Sequence, residues 1–144
     1  MRLAVISDVH GNLLALEAVL HDITTRGVDD TINLGDWVAG PLWPSETFDL
    51  LAELGIPSVR GNHDRWAVDR PDDVMPPAGR FARNALTTAQ CEILHALPAS
   101  IDRGEILACH GTPTDDMSYL LEDPAEGRLA PAARATVAER LGAE

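Results

Sequence analysis

The sequence predicts an α/β fold, and three observations carry that prediction. Short apolar runs of strand length recur, each ending in a polar cluster beside a glycine. The stretches that follow the first two runs carry apolar residues at the helical period. With 144 residues and 45% hydrophobic content, the chain is long enough for one domain, residues 1–144, with a real core.

Taken in order, Arg2–Ser7 reads as a buried strand (Leu3, Ala4, Val5, Ile6) that ends at Asp8-Val9-His10-Gly11-Asn12. Asn12 is an N-cap candidate for a helix over about Leu13–Arg26, with Leu13, Leu16, Val19, Leu20 and Ile23 on one face and Gly27 after it. Thr31–Leu34 is a second short strand, delivering Gly35-Asp36. A loop rich in Gly, Pro and Trp (Trp37–Pro44) leads to a helix over about Ser45–Leu54, for which Ser45 is the expected cap. Ile56–Arg60 is the third strand and delivers Gly61-Asn62-His63-Asp64.

Farther on, the prolines and aspartates of Ala67–Gly79 predict a loop or lid. Thr87–Leu97 reads as a helix capped by Thr87 or Thr88 and stopped by Pro98. Ser100–Asp102 and Glu105–Cys109, separated by Arg103-Gly104, read as a hairpin whose second strand ends at His110-Gly111. Thr112–Pro131 is expected to be irregular, and Ala132–Leu141 to form a last amphipathic helix.

Composition removes several classes of function. A net charge of −12 argues against general nucleic-acid binding, which needs a basic face for phosphates. All 11 basic residues are Arg, so no Walker A lysine and no Schiff-base lysine exist. No run of about 18 apolar residues is present, which predicts no membrane span. The N-terminal apolar run is too short for a signal peptide, so the expectation is a cytoplasmic chain. Cys91 and Cys109 form no C-x-x-C and are read as reduced apolar packers.

The chemistry lies at the strand ends. Four runs hand over to Asp8 and His10, to Asp36, to Asn62-His63-Asp64 and to His110. In α/β sheets the crevice beyond the strand carboxyl ends is where ligands bind. Two carboxylates, an amide oxygen and imidazoles, with no thiolate, suit divalent Mn, Fe, Co, Ni or Zn. An aspartate can bridge two such ions roughly 3.5–4 Å apart, the arrangement that clamps phosphoester displacement. Asp64 is either an orienting group or a turn cap. Trp37, Trp43 and Trp66 either wall a substrate or pack loops, Asn12 serves mainly as a cap, and Arg65 is a candidate phosphate contact. His21 and His95 are surface or packing histidines.

Asp8-x-His10, Gly35-Asp36-x-x-x-Gly40, Gly61-Asn62-His63-Asp64 and His110-Gly111 together resemble the calcineurin-like metallophosphoesterases, over residues 1 to about 121. The resemblance implies an αββα sandwich and hydrolysis of phosphomonoesters or phosphodiesters at a dinuclear metal centre, with a metal-bound hydroxide as nucleophile. It implies that Asp8 and His10 hold one ion, Asn62 and His110 the other, and that Asp36 bridges them. His63 would contact the phosphoryl oxygen or protonate the leaving group. Ala39-Gly40 stands where the protein phosphatases of the superfamily have Asp-Arg, and Asp64 where they have Glu; the chain is more similar to the small bacterial phosphodiesterase-type branch.

The family's later Gly-His-x-His does not occur in this chain. The expectation is therefore a C-terminally incomplete sandwich, short of several strands of the second sheet. The alternative function is a catalytically inactive or partner-dependent metal-binding fragment. Expected partners are a small phosphoester and either a second copy of the chain or a complementing C-terminal segment, with neither membrane nor nucleic acid.

Overall fold

A computed structural model of the chain describes residues 1–142. β1 (Leu3–Ile6) runs parallel to β2 (Asp30–Asn33), in register from Leu3↔Asp30 to Ile6↔Asn33. α1 (Leu13–Thr25) makes the crossover between them, and the Asn12 side chain caps it by accepting from the Ala15 nitrogen at 3.2 Å. The expected third strand shrinks to a single parallel bridge, Asn33↔Ser58. Pro57 has no N–H to give a ladder, and past Val59 the Arg60 nitrogen already bonds the Pro98 carbonyl, at 2.8 Å.

α2 (Pro44–Leu54) starts one residue earlier than the sequence reading places it. Pro44 takes the first helical position, where a missing N–H costs nothing. Ser45 is thus inside the helix, and its hydroxyl meets the Gln90 amide at 3.1 Å instead of capping.

The segment expected as a loop, Ala67–Gly79, is largely helical. α3 (Asn62–Asp69) runs into it, a 3-10 turn covers Asp72–Val74, and α4 (Pro77–Ala85) leaves it. Pro71, Pro76 and Pro77 all fall at or just before the start of a helical turn, so they begin helices here and interrupt none. Arg83 of α4 then caps α3: its guanidinium donates to the carbonyls of Ala67 at 2.6 Å and Arg70 at 2.7 Å. α5 (Thr88–Ala96) begins with a reciprocal cap between Thr87 and Gln90.

β3 (Ser100–Asp102) and β4 (Leu107–Cys109) form the expected antiparallel pair. A second pair, β5 (Glu122–Ala125) and β6 (Arg128–Pro131), occupies the stretch read as irregular. Its two-residue turn has φ of +50° at Glu126 and +79° at Gly127, the sign combination that matches hairpin twist. α6 (Arg134–Arg140) is shorter than the predicted helix and is tied to β5 by the Arg140–Asp123 ion pair.

The core lies on both faces of the β1–β2 ladder. Ile6, Leu16, Trp37, Val38, Phe48, Leu51, Ala82 and Leu94 form the larger cluster, on the helical side. Ile32, Val59 and Ala108 form a smaller one, with Leu3, Leu34 and Ile101 packed against it, and so join the parallel ladder to β3 and β4. The architecture is the expected α/β arrangement, although its strands, among the described residues, form three two-stranded ladders. No helix among the described residues is long and apolar enough to cross a membrane. Cys91 and Cys109 are free thiols, each held above the usual thiol range by burial.

Leu51, 1% exposed at the centre of the larger cluster, sets the stability expectation. Leu51→Ala should lower unfolding free energy by about 2–5 kcal/mol. Leu14→Ala, at an exposed position of α1, should change it by no more than about 0.5 kcal/mol. Urea titration of both variants measures the difference.

Candidate metal centre

Backbone pairing continues past the ends of β1 and β2 and sets the site. The Asp8 nitrogen bonds the Gly35 carbonyl at 3.0 Å, and the His10 nitrogen bonds the Asp36 carbonyl at 2.9 Å. Asp8, His10 and Asp36 all adopt left-handed backbone, with φ of +56°, +50° and +58°. Each such residue costs about 1 kcal/mol or more, and conformations of this kind persist where surrounding structure over-determines them. Here the surrounding structure is the pair of loops bonded to one another.

A third segment closes against them. Gly35 and Gly61 meet backbone to backbone, and a Cβ on Gly61 would run into the backbone nitrogen and carboxylate of Asp36. Asp64, fully buried, holds this approach together. Its carboxylate accepts from the nitrogens of Asp36 at 2.7 Å, Trp37 at 2.8 Å and Gly61 at 3.1 Å. Burial, and next the charge of Asp36, push its carboxyl up to about 7, against the pull of those donors. Asp64 is thus both of the things the sequence left open, a helix-start cap and an orienting group.

Asp36 sits at the centre. Its Oδ1 accepts from the His63 backbone nitrogen at 2.9 Å. Its Oδ2 lies 3.6 Å from His10 Nε2 and 3.6 Å from His110 Nε2. Both imidazoles are turned by backbone carbonyls: His10 Nδ1 is 3.0 Å from the Ala39 oxygen, and His110 Nδ1 is 2.7 Å from the Leu34 oxygen. A proton on each Nδ1 leaves each Nε2 with a lone pair aimed at the cleft, the arrangement seen behind metal-bound histidines. Asn62 Oδ1 then stands 3.0 Å from His110 Nε2, one acceptor facing another. Ser7 donates to Asp8 Oδ2, and Asp8 Oδ1 lies 3.6 Å from His10 Nε2.

This donor set fits a divalent cation. The Asp36 side chain is 2% exposed, and among the described residues no Arg lines the cleft. A buried carboxylate left without a cation is strongly unfavourable. One atom each from Asp8, Asp36 and His110 lie within 4.8 Å of one another. His63 flanks this group: its ring meets that of His10 edge-on at 5.1 Å and that of Trp66 at 4.6 Å. Burial, opposed by Asp36 and helped by the other two histidines, holds the His63 pKa below the usual range.

The structure brings Asp8, His10, Asp36, Asn62, His63 and His110 to one cleft of about 510 Å³. Other candidates go elsewhere. Trp37 is core against Phe48, Trp43 precedes α2, and Trp66 lies under the Arg70 guanidinium. Arg65 is engaged by Asp116 and is not a free phosphate contact. Sequence reasoning missed the part of the cleft lining supplied by Asp116 to Leu120, and the carbonyls of Leu34 and Ala39. Those carbonyls carry no side-chain signal, and the wall lies in a stretch with no periodicity.

A family model described as calcineurin-like phosphoesterase matches residues 1–136. An uncharacterised protein of Methanocaldococcus jannaschii is 33% identical, over 84% of this chain and 54% of that protein. Among solved structures, a metallophosphoesterase from Sphaerobacter thermophilus is 37% identical with a TM-score of 0.70, covering 85% of this chain and 52% of that one. A hypothetical protein from Pyrococcus horikoshii OT3 shares the fold, with a TM-score of 0.69 at 19% identity, over 85% of this chain and 60% of that one. The chain therefore spans about half the length of these relatives.

The Asp64 contacts predict a defined loss. Asp64→Asn turns one acceptor into a donor facing backbone N–H groups and should cost about 1–3 kcal/mol. Amide exchange at Asp36 and Trp37 should accelerate with it, which hydrogen-exchange mass spectrometry reads directly.

Proposed function

The chain belongs to the calcineurin-like phosphoesterase family, and from that premise we propose that it hydrolyses small phosphomonoesters or phosphodiesters with two divalent ions bound in this cleft. The observation that carries the reading is the position of Asp36 Oδ2, 3.6 Å from the Nε2 atoms of both His10 and His110. One carboxylate oxygen between two imidazole lone pairs suits a bridging ligand. Asp8 and His10 would hold one ion, Asn62 and His110 the other. Mn, Fe, Ni, Co or Zn would each match these donors. The ions supply Lewis-acid polarisation of the phosphoryl oxygen and a lowered pKa for water.

The chain's own groups do the rest. His63 stands beside the ligand cluster without being needed in it. Its ring is the candidate donor to a phosphoryl oxygen or to the leaving group. Its backbone nitrogen holds Asp36 Oδ1, so the same residue orients the bridging carboxylate. Ser7 and the carbonyls of Leu34 and Ala39 keep the remaining ligand atoms turned inward. Trp37 and Val38 follow Asp36 directly and are buried in the larger core cluster, which ties this loop to the helical side of the core.

A second reading is favoured by a different observation. β1 pairs only with β2 among the described residues, Val5 on it is 55% exposed, and Val5 borders an apolar groove on each side. In that reading the chain is a metal-binding unit completed by a strand-bearing segment equivalent to the unmatched half of its relatives.

Metal analysis with an assay on p-nitrophenyl phosphate and bis-p-nitrophenyl phosphate separates the two. The first reading expects two ions per chain and turnover by the isolated chain, which together would overturn the second. Asp36→Asn should lower turnover by on the order of 100-fold or more, since even partners behind a ligand are worth 10–100-fold. Full metal-dependent activity in Asp36→Asn would sink the metal-centred reading. Independently of activity, Mn²⁺ at 100 times its dissociation constant should stabilise the wild-type chain by about 2.7 kcal/mol and stabilise Asp36→Asn far less, measured by urea titration.

A further inference from the structure

Arg65 lies on α3, two residues after His63, and Asp116 lies in the segment between β4 and β5. Arg65 Nε donates to Asp116 Oδ2 at 2.7 Å, and a terminal guanidinium nitrogen donates to Oδ1 at 2.7 Å. Two parallel charge-assisted bonds of this kind fix direction as well as distance. Both side chains are partly sheltered, so water screens the pair less than it screens a surface ion pair.

The segment that Asp116 anchors is knitted to itself. The Thr112 nitrogen bonds the Asp115 carbonyl at 2.9 Å, and the Asp115 nitrogen bonds the Thr112 hydroxyl at 3.0 Å. Asp115 in turn accepts from the Met117 nitrogen and the Ser118 hydroxyl. Among the described residues the Arg65–Asp116 pair is the side-chain ion pair of this turn to the helical body.

That unit is a wall of the cleft. Asp116, Met117, Ser118, Tyr119 and Leu120 face the same space as Asp8, Asp36 and His110. Met117 and Tyr119 are each more than half exposed, so the wall offers a thioether and an aromatic ring in a cleft whose other side is polar. A phosphoester held at the ligand cluster would present its organic group to this wall, where a planar group gains contact with the Tyr119 ring.

Resting on the phosphoesterase reading above, we propose that Arg65 and Asp116 are a positioning pair. Their ion pair sets the Met117–Tyr119 wall against the metal ligands and thereby selects esters with a planar organic group. Neither residue touches the reacting atoms. The pair links α3, which carries His63, to the surface that receives the organic group.

The test uses the full chain loaded with Mn²⁺ and two unreactive probes, phenylphosphonate and methylphosphonate, in Arg65→Lys, Asp116→Asn and the charge swap Arg65→Asp/Asp116→Arg. In each single variant, amide exchange across Thr112–Ser118 should rise about 10-fold and phenylphosphonate should bind about 10-fold more weakly, the scale expected for loss of charge-assisted hydrogen bonds. Methylphosphonate binding should not change, and the swap should recover both losses. Unchanged exchange at these amides, or equal weakening of the two probes, overturns the inference and leaves the metal-centred reading standing. A wild-type chain that binds neither phosphonate with Mn²⁺ present overturns that reading, and this inference with it.

Discussion

One buried carboxylate sustains the geometry of the cleft. Asp64 gathers three backbone N–H groups from two loops that are distant in sequence, those of Asp36, Trp37 and Gly61. Each of these buried donors would cost about 1–3 kcal/mol if left without an acceptor, so together they outweigh the strain of about 1 kcal/mol or more at the left-handed Asp36 beside them. The contact also demands an absence of side chain at Gly35 and Gly61, whose backbones touch. Without Asp64 the Asp36, Trp37 and Gly61 nitrogens lose their shared acceptor, and the bond from the His63 nitrogen to Asp36 Oδ1 is left to direct that carboxylate.

The electrostatics of the cleft follow from that closeness. Asp36 and Asp64 are both buried, and Asp8 lies at the mouth. Arg65, two residues after His63, is committed to Asp116, and among the described residues no guanidinium lines the cleft. Two imidazoles whose Nδ1 atoms face carbonyl oxygens turn their Nε2 atoms toward the same space. The structure thus concentrates lone pairs around Asp36, and a divalent cation is the chemistry that relieves such a concentration.

Much of the fold was legible because it rests on short-range rules. β1, α1 with its Asn12 cap, β2, α5 with its Thr87 cap and the β3–β4 hairpin all lie within a residue or two of their expected positions. The misreadings have a common cause. In Ala67–Gly79 the prolines read as breakers along the sequence, whereas they occupy helix starts, where only tertiary packing decides that a helix follows. The β5–β6 hairpin turns on Glu126-Gly127, a weaker signal than Asn-Gly, and the third strand lost its ladder to Pro57. Arg65 reads as a candidate phosphate contact in the sequence because its partner Asp116 is 51 positions away.

By itself, the sequence determined which side chains stand at the ends of the apolar runs, since alternation of apolar and polar residues along a chain needs no partner to be read. It also carried the family, through Asp8, His10, Asp36, Asn62, His63 and His110. Tertiary structure alone decided how these groups face one another: that Asp36 lies between two imidazoles, that Asp64 ties their loops, and that a segment without periodicity walls the cleft. Those facts depend on contacts across 27 to 76 positions of sequence. Such contacts are set by the parallel pairing of β1 with β2 and by the backbone bonds that extend it, and no local pattern encodes them.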